Sequence, residues 1–313
     1  MVTSNKRDGI MFVFVASFLW GTLSPVGKIL AALKTDMLLV ALVRAGCVFL
    51  GGGLFLLWRD PSLFRISFKQ FILVGFFSIF GVVGIYVGYF MALQDLTVAT
   101  AVVVLYTYPL LTLIGSALIM KEPPSPTLIL AAFLGLIGVG VTVWGSGTSL
   151  LIRESVRGFL WIFISVLGMV AYSLFGRWVA KNQFIAQESL FVYAHFLGFF
   201  WIALFYGVFH SVSLTGWVQA LRSLSPAQWG WILYVGFGVS LFGYSSYFLA
   251  LRTIEASTAS TIATIEIVIA ITLTSLFMKQ LPTAGELLGS LLITIAVVLA
   301  TGKISSKFSI FQQ

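Results

Sequence analysis

The chain has 313 residues, of which 59% are hydrophobic and only 9% charged, with a formal net charge of +8. A soluble chain carries about 25% charged residues, so this surface suits lipid and a soluble two-domain enzyme is excluded. The lone Cys47, set in an apolar run, leaves no disulfide framework and no thiolate metal site. Lys and Arg are scattered through short polar gaps, without the basic stripe that nucleic acid requires.

A bilayer core of about 30 Å takes roughly 20 apolar residues per helix. On that measure the sequence predicts ten spans, at 9–32, 36–58, 71–93, 98–120, 126–144, 158–179, 188–209, 229–251, 256–278 and 284–301. Connections are short except around 145–157 and 210–228, so function must reside within the bundle. Lys6 and Arg7 precede the first apolar stretch, as in a signal peptide. That stretch is of span length, lacks an A-x-A-like cleavage site and precedes further spans, so it reads as the first helix.

With the N-terminus in the cytoplasm, the inner side receives Lys6, Arg7, Arg59, Arg65, Lys69, Lys121, Arg177, Lys181, Arg252, Lys303 and Lys307. The outer side receives Lys34, Arg153, Arg157, Arg222 and Lys279. The positive-inside bias therefore puts both termini inside, with the cell (inner or plasma) membrane as the expected location.

The chain repeats itself. Tyr89-Phe90-Met91-Ala92-Leu93 recurs as Tyr247-Phe248-Leu249-Ala250-Leu251. At the same offset Thr100-Ala101 meets Thr258-Ala259, Met120-Lys121 meets Met278-Lys279, and Pro124 meets Pro282. About a quarter of the positions from 89 to 144 match identically. Five spans per half force the second half to enter the membrane in the opposite sense. Such inverted repeats are the architecture of many secondary transporters. The predicted fold is thus an all-α integral membrane protein of ten transmembrane helices in two inverted five-helix repeats.

The run Trp20-Gly21-Thr22-Leu23-Ser24-Pro25-Val26-Gly27-Lys28, followed by Arg44, resembles the opening of the EamA-type half of the drug/metabolite transporter superfamily. Leu93, Pro109, Glu122, Gly135 and Gly138 resemble its end, and Leu251, Glu266 and Gly289 fall at matching places in the second half. Ile267, Gln280 and Met169-Val170 depart from the pattern. The resemblance implies repeats at 1–145 and 157–302 with a cytoplasmic tail at 303–313. It also implies secondary transport through a central cavity lined mainly by helices one, three, four, six, eight and nine. Trp20, Ser24, Tyr86, Tyr89, Tyr106, Tyr172, Tyr244 and Tyr247 lie in those spans.

Individual residues carry two readings each. Arg44, well inside a span, either grips a substrate carboxylate or phosphate or ties helix two to its neighbours. Glu266 is a substrate or proton-coupling carboxylate, or a partner of Arg44, Lys28 or a tyrosine. Thr261 and Thr264 either line a polar path or bond to their own helix. His195 either titrates or binds an anion or, as the favoured reading, is a lone histidine bonded to a neighbouring helix, with no partner at metal-ligand spacing. The tyrosines and Trp20 form a cage for flat, apolar or cationic groups or serve as interface anchors. Pro25 and Pro109 kink helices one and four. Small residues at Gly81, Gly84 and Gly88, Ala131 and Gly135, and Gly285 and Gly289 mark close helix contacts.

No zinc-protease helix, paired Ser/His or Walker A sequence appears, so neither an enzyme nor an ATP-driven pump is expected and no cofactor is implied. The expected partners are a small-molecule substrate, membrane lipids and a coupling proton or exchange solute, with a monomer sufficient. The favoured substrates are amino acids or related zwitterions. Nucleotide-like or adenosine-containing metabolites come second, and a lipid or lipid-linked-sugar flippase is the competing class.

Overall fold

Hydrocarbon offers a backbone amide no hydrogen-bond partner, so an apolar chain must satisfy its backbone within helices. The computed structural model describes residues 5–145, 155–211, 214–279 and 281–302, and these are helical with short connections. Arg153, Lys303, Lys307 and the 303–313 tail lie outside the described residues.

The spans are α1 (Lys6–Ala32), α2 (Met37–Arg59), α3 (Phe68–Ala92), α4 (Val98–Leu118) and α5 (Pro126–Gly145) in the first half. The second half holds α6 (Val156–Asn182), α7 (Gln187–His210), α8 (Pro226–Ala250), α9 (Ala256–Phe277) and the shorter α10 (Ala284–Ala300). Each overlaps its predicted span. One helix was not foreseen: Leu214–Arg222 lies in the long connection before α8, too short to register in a span-length reading.

Leu50, Leu54, Phe76, Phe80, Leu130, Phe133 and Leu204 face outward, whereas small residues such as Ala16, Ala41, Ala45 and Ala131 fill the interior. The tightest seam joins α5 to α10. A Cβ on Gly145 would lie 2.2 Å from Gly285 Cα, and one on Gly289 would lie 2.5 Å from the Gly138 carbonyl oxygen. The Gly285/Gly289 stripe expected at a helix contact is therefore there, but it meets Gly138 and Gly145 more closely than it meets Gly135.

The repeat is visible in local structure at the sequence offset of 158. Ser67 and Ser225 cap α3 and α8 with matching capping boxes completed by Gln70 and Gln228. Each glutamine then reaches across to the other half. Gln70 Nε2 donates to the Phe184 carbonyl between α6 and α7. Gln228 Nε2 donates to the Leu33 carbonyl between α1 and α2 at 3.2 Å. Both α3 and α8 carry a wide π turn, at Ile79–Gly84 and Tyr234–Gly243. Lys121 and Lys279 both take left-handed conformations after α4 and α9.

Three spans are interrupted. α1 breaks at Thr22 and α4 at Tyr106 and Thr107, each just before a proline that cannot donate to the preceding turn. α9 breaks at Thr264 with Ile267 in the place of Pro109. There the Thr264 hydroxyl donates to the Thr261 carbonyl at 2.8 Å, and Ile267 N–H donates to the Thr264 carbonyl at 3.1 Å, so a tight turn replaces proline.

These breaks let α4 and α9 splay. Tyr108–Leu118 of α4 packs on Ala256–Ala263 of α9 toward the end where the chain begins. Beyond the breaks, α4 leans on α5 and α6 while α9 leans on α1 and α10. Residues 102–105 and 265–270 consequently keep accessible surface, whereas 256–263 are buried. The bundle is open toward the far end and shut toward the N-terminal end.

Ion pairs join the shut end. Arg177 meets Glu122 at 2.8 Å and also donates to the Leu251 carbonyl at 3.0 Å, and Arg252 meets Glu188 at 2.8 Å. At the far end Asp95 pairs with Arg157 at 2.6 Å, whose hydrogen bond holds the Asp95 carboxyl below the usual range.

Gly289→Ala is expected to cost about 1–3 kcal/mol by overpacking the α5–α10 seam, lowering the melting temperature of the detergent-purified protein. Gly140→Ala, whose Cβ would meet nothing within 4 Å, should be neutral or slightly stabilising.

Candidate functional site

Arg44 and Glu266 are the only charged side chains of the described residues lying more than six residues from a span end. A charge at that depth is costly unless protein or water surrounds it. The structure gives each a different setting and does not pair them.

Arg44 is 4% exposed. Its Nε donates to Ser240 Oγ at 2.9 Å, and its guanidinium carbon lies 4.2 Å from the centre of the Tyr86 ring. The π turn of α8 makes this possible: Ser240 Oγ donates to the Val235 carbonyl at 2.9 Å, five residues back, leaving its lone pairs for Arg44. Gly236 on the same turn lets α8 approach Cys47 and Arg44 closely.

His195 completes this corner. Its Nδ1 lies 2.8 Å from the Phe191 carbonyl, which can only accept, so Nδ1 carries the proton. Nε2 is then free to accept from the Tyr86 hydroxyl at 3.3 Å. The ring is neutral in that arrangement, and the expected contact with a neighbouring helix is the one to Tyr86.

The aromatic residues form one chain of contacts. Tyr86 lies 5.8 Å from Tyr244, and Tyr244 lies 4.9 Å from Trp20 and 5.2 Å from Tyr172. Trp20 also touches Tyr247 at 5.3 Å, and the Tyr247 hydroxyl is 2.9 Å from Ser173 Oγ. All five rings are buried, so they form a packed plug rather than an open cage.

Glu266 lies just past the break in α9 and accepts a hydrogen bond from Tyr106, which lies at the break in α4. The two discontinuities are thus tied at the floor of the splayed opening. Glu266 retains accessible surface there. Tyr108, beside this pair, donates to the Ser260 carbonyl at 3.4 Å. Of the partners expected for Glu266, the tyrosine is the one present.

Four expected positions fall elsewhere. Thr261 and Thr264 do not line a path: both are buried, with hydroxyls donated at 2.8 Å to Ser257 and Thr261 of their own helix. An unsatisfied hydroxyl in the interior is costly, and the nearest carbonyl is one turn back. Tyr89 is half-buried and packs beside Phe90 and the Ala92–Ile162 group, away from Trp20. Ser24 is exposed on the second half of α1, toward the open end. Ser240 was missed altogether. Its only signal was a serine in a glycine-rich stretch, and the π turn that aims it has no mark in the sequence.

A family model described as the EamA-like transporter family matches residues 7–144 and 156–302. An uncharacterized transporter of the cyanobacterium Synechocystis sp. is 26% identical over 219 residues, 67% of this chain. That match takes in 60% of the relative's own length. A solved crystal structure superposes with a TM-score of 0.79 at 21% identity, over 94% of this chain and 96% of the other. At that identity the likeness speaks for the fold alone.

Arg44→Lys keeps the charge but loses the planar fork that reaches Ser240 while lying on Tyr86. It should cost about 1.5–3 kcal/mol, the range for a charged hydrogen bond. Ser240→Ala should weaken the same contact. In a double-mutant cycle of thermal stability the two losses are expected to fall short of additive.

Proposed function

This chain belongs to the EamA-like transporter family, and from that premise we propose that it is a secondary active transporter of a small polar or zwitterionic metabolite. Amino acids or their derivatives are the favoured substrates, moved by alternating access through the centre of the bundle. The observation that carries this reading is the separation of the two interior charges. Arg44 offers a positive pole and Glu266 a negative one, each satisfied by neutral groups. A solute bearing both a carboxylate and an amine complements both poles, whereas a direct Arg44–Glu266 ion pair would have cancelled them.

Trp20 connects the poles. Its ring lies on Tyr244 of the arginine corner, and the next residue, Gly21, packs against the Glu266 backbone. In our reading Trp20, Tyr86, Tyr106, Tyr172, Tyr244 and Tyr247 surround the solute when the packed rings part, and Glu266 carries the coupling proton or releases it in exchange. The two half-bundles, 1–145 and 157–302, rock against each other. The ion pairs of Glu122, Arg177, Arg252 and Glu188 then form the shut gate. Both termini face the cytoplasm of a cell whose inner or plasma membrane holds the protein, and one chain suffices.

A second reading has one observation in its favour. The contiguous rings of Trp20, Tyr244, Tyr172 and Tyr247 would stack on an adenine, which suits a nucleotide-like solute. A thermal-shift panel of amino acids, nucleosides, nucleotides, amines and lipid-linked sugars separates the cases, because a ligand of the native state raises its melting temperature. Amino acids alone should produce the shift. A response confined to adenine compounds would favour the second reading, and one confined to lipid-linked sugars would replace both with a flippase.

In liposomes, Glu266→Gln is expected to abolish uptake driven by a proton gradient while sparing counterflow exchange of substrate. An unaltered pH dependence in that variant would remove Glu266 from coupling.

A further inference from the structure

The acidic residues among the described part of the chain leave Arg44 without a counter-ion. Asp95, Glu122 and Glu188 are paired with other cations and Asp36 with His210 near the span ends, and none of these pairs includes Arg44. Every group around the guanidinium is neutral. Ser240 and the hydroxyls of Tyr86 and Tyr244 lie within its hydrogen-bonding reach, and His195 has the neutral tautomer. A buried guanidinium held only by neutral oxygens keeps its full charge in a medium of low dielectric.

A second observation has the same sign. The Tyr172 hydroxyl is buried, has no hydrogen-bond partner, and lies among Tyr86, Tyr244 and Tyr247. Tyr86 has committed its proton to His195 and Tyr247 is paired with Ser173. Tyr172 therefore has a donor to spare one ring away from the uncompensated cation, across Tyr244. One positive charge and one idle donor in an aromatic setting call for a ligand with a single negative charge.

We propose that Arg44, Tyr86, Tyr172 and Tyr244 form a binding site for a monovalent anion, of the chemistry shared by a small carboxylate and a halide. The anion has two possible sources, the carboxylate of the transported solute or a resident inorganic halide. The carboxylate form rests on the transport reading above, whereas the halide form stands without it. The rings around Arg44 are shut in this conformation, so the anion enters when Tyr244 moves off Tyr86 and exchanges its contact with Arg44 for a charged one. The electrostatic gain is larger than that of any neutral oxygen it displaces.

The test uses the full chain in detergent, with melting temperature followed at constant ionic strength as sulfate is replaced. One arm adds chloride or bromide and the other adds acetate or glycine. A saturable rise with halide identifies a resident ion, and a rise with carboxylates alone identifies the solute's own group. In either case the rise should vanish in Arg44→Gln. The proposal is overturned if neither class gives a saturable rise in the wild type, or if Arg44→Gln responds undiminished. Should Arg44→Gln fail to fold, Tyr172→Phe decides. Losing an unpartnered hydroxyl should leave the anion-free melting temperature near wild type and weaken apparent affinity about fivefold, and unchanged affinity would overturn the assignment. Uptake of labelled amino acid into wild-type liposomes, measured separately, shows whether transport itself is at fault when the carboxylate arm is silent.

Discussion

A helix that breaks inside a bilayer exposes backbone groups that only protein or trapped water can satisfy. The breaks in α4 and α9 meet that demand at one place, where Tyr106 at the end of one helical segment donates to Glu266 at the start of another. Much else follows from putting two discontinuities side by side. The segments nearer the N-terminal end can pack on each other while those beyond the breaks lean in different directions. An opening is created without unwinding more than a residue or two of either span. Glu266 at its floor keeps some accessible surface and is held by a neutral phenol rather than by a buried cation.

The repeat makes this geometry economical. Capping boxes at Ser67 and Ser225, wide turns in α3 and α8, and left-handed lysines after α4 and α9 show that each half builds the same local devices. The chemistry laid on that frame is not repeated. Tyr108 of α4 corresponds by offset to Glu266 of α9, and Val82 corresponds to Ser240. Pseudo-symmetry therefore supplies a shared frame, and asymmetric residues place on it one carboxylate, Glu266, and the serine that holds Arg44. Gln70 and Gln228 are the points where the two frames hold one another, each capping its own helix while bonding to the partner repeat's loop.

The spans were legible because a run of apolar residues long enough to cross a bilayer admits almost one interpretation. The prolines likewise announced the breaks in α1 and α4. The break in α9 was not legible, since Ile267 occupies the proline position and a threonine turn does the same work through hydrogen bonds that no local pattern reveals. Polar residues misled for a related reason. Thr261 and Thr264 look like a lining when counted along the helix, yet a hydroxyl in a dry interior turns to the carbonyl one turn behind it. Arg44 and Glu266 stood out by depth and charge alone. Which neutral groups would hold them depended on the π turn at Ser240 and on the meeting of two distant breaks, and both are products of tertiary packing.

Keeping the two charges apart carries a thermodynamic consequence. Had Arg44 and Glu266 met, the pair would have been strong in low dielectric and any charged ligand would have had to break it. Instead each is held by groups that can be exchanged at modest cost: a serine and a ring face for Arg44, a phenol for Glu266. Neutral partners stabilise each charge, but less than an ionic ligand would. On the transport reading proposed above, that difference is what a ligand would draw upon to separate Trp20 from Tyr244 and Tyr247, rings that pack against one another between the two charges. A conformational equilibrium shifts only by the differential affinity of the ligand for its states. In the proposed transporter, weakly satisfied charges behind packed aromatic rings would place that differential at the site of binding itself.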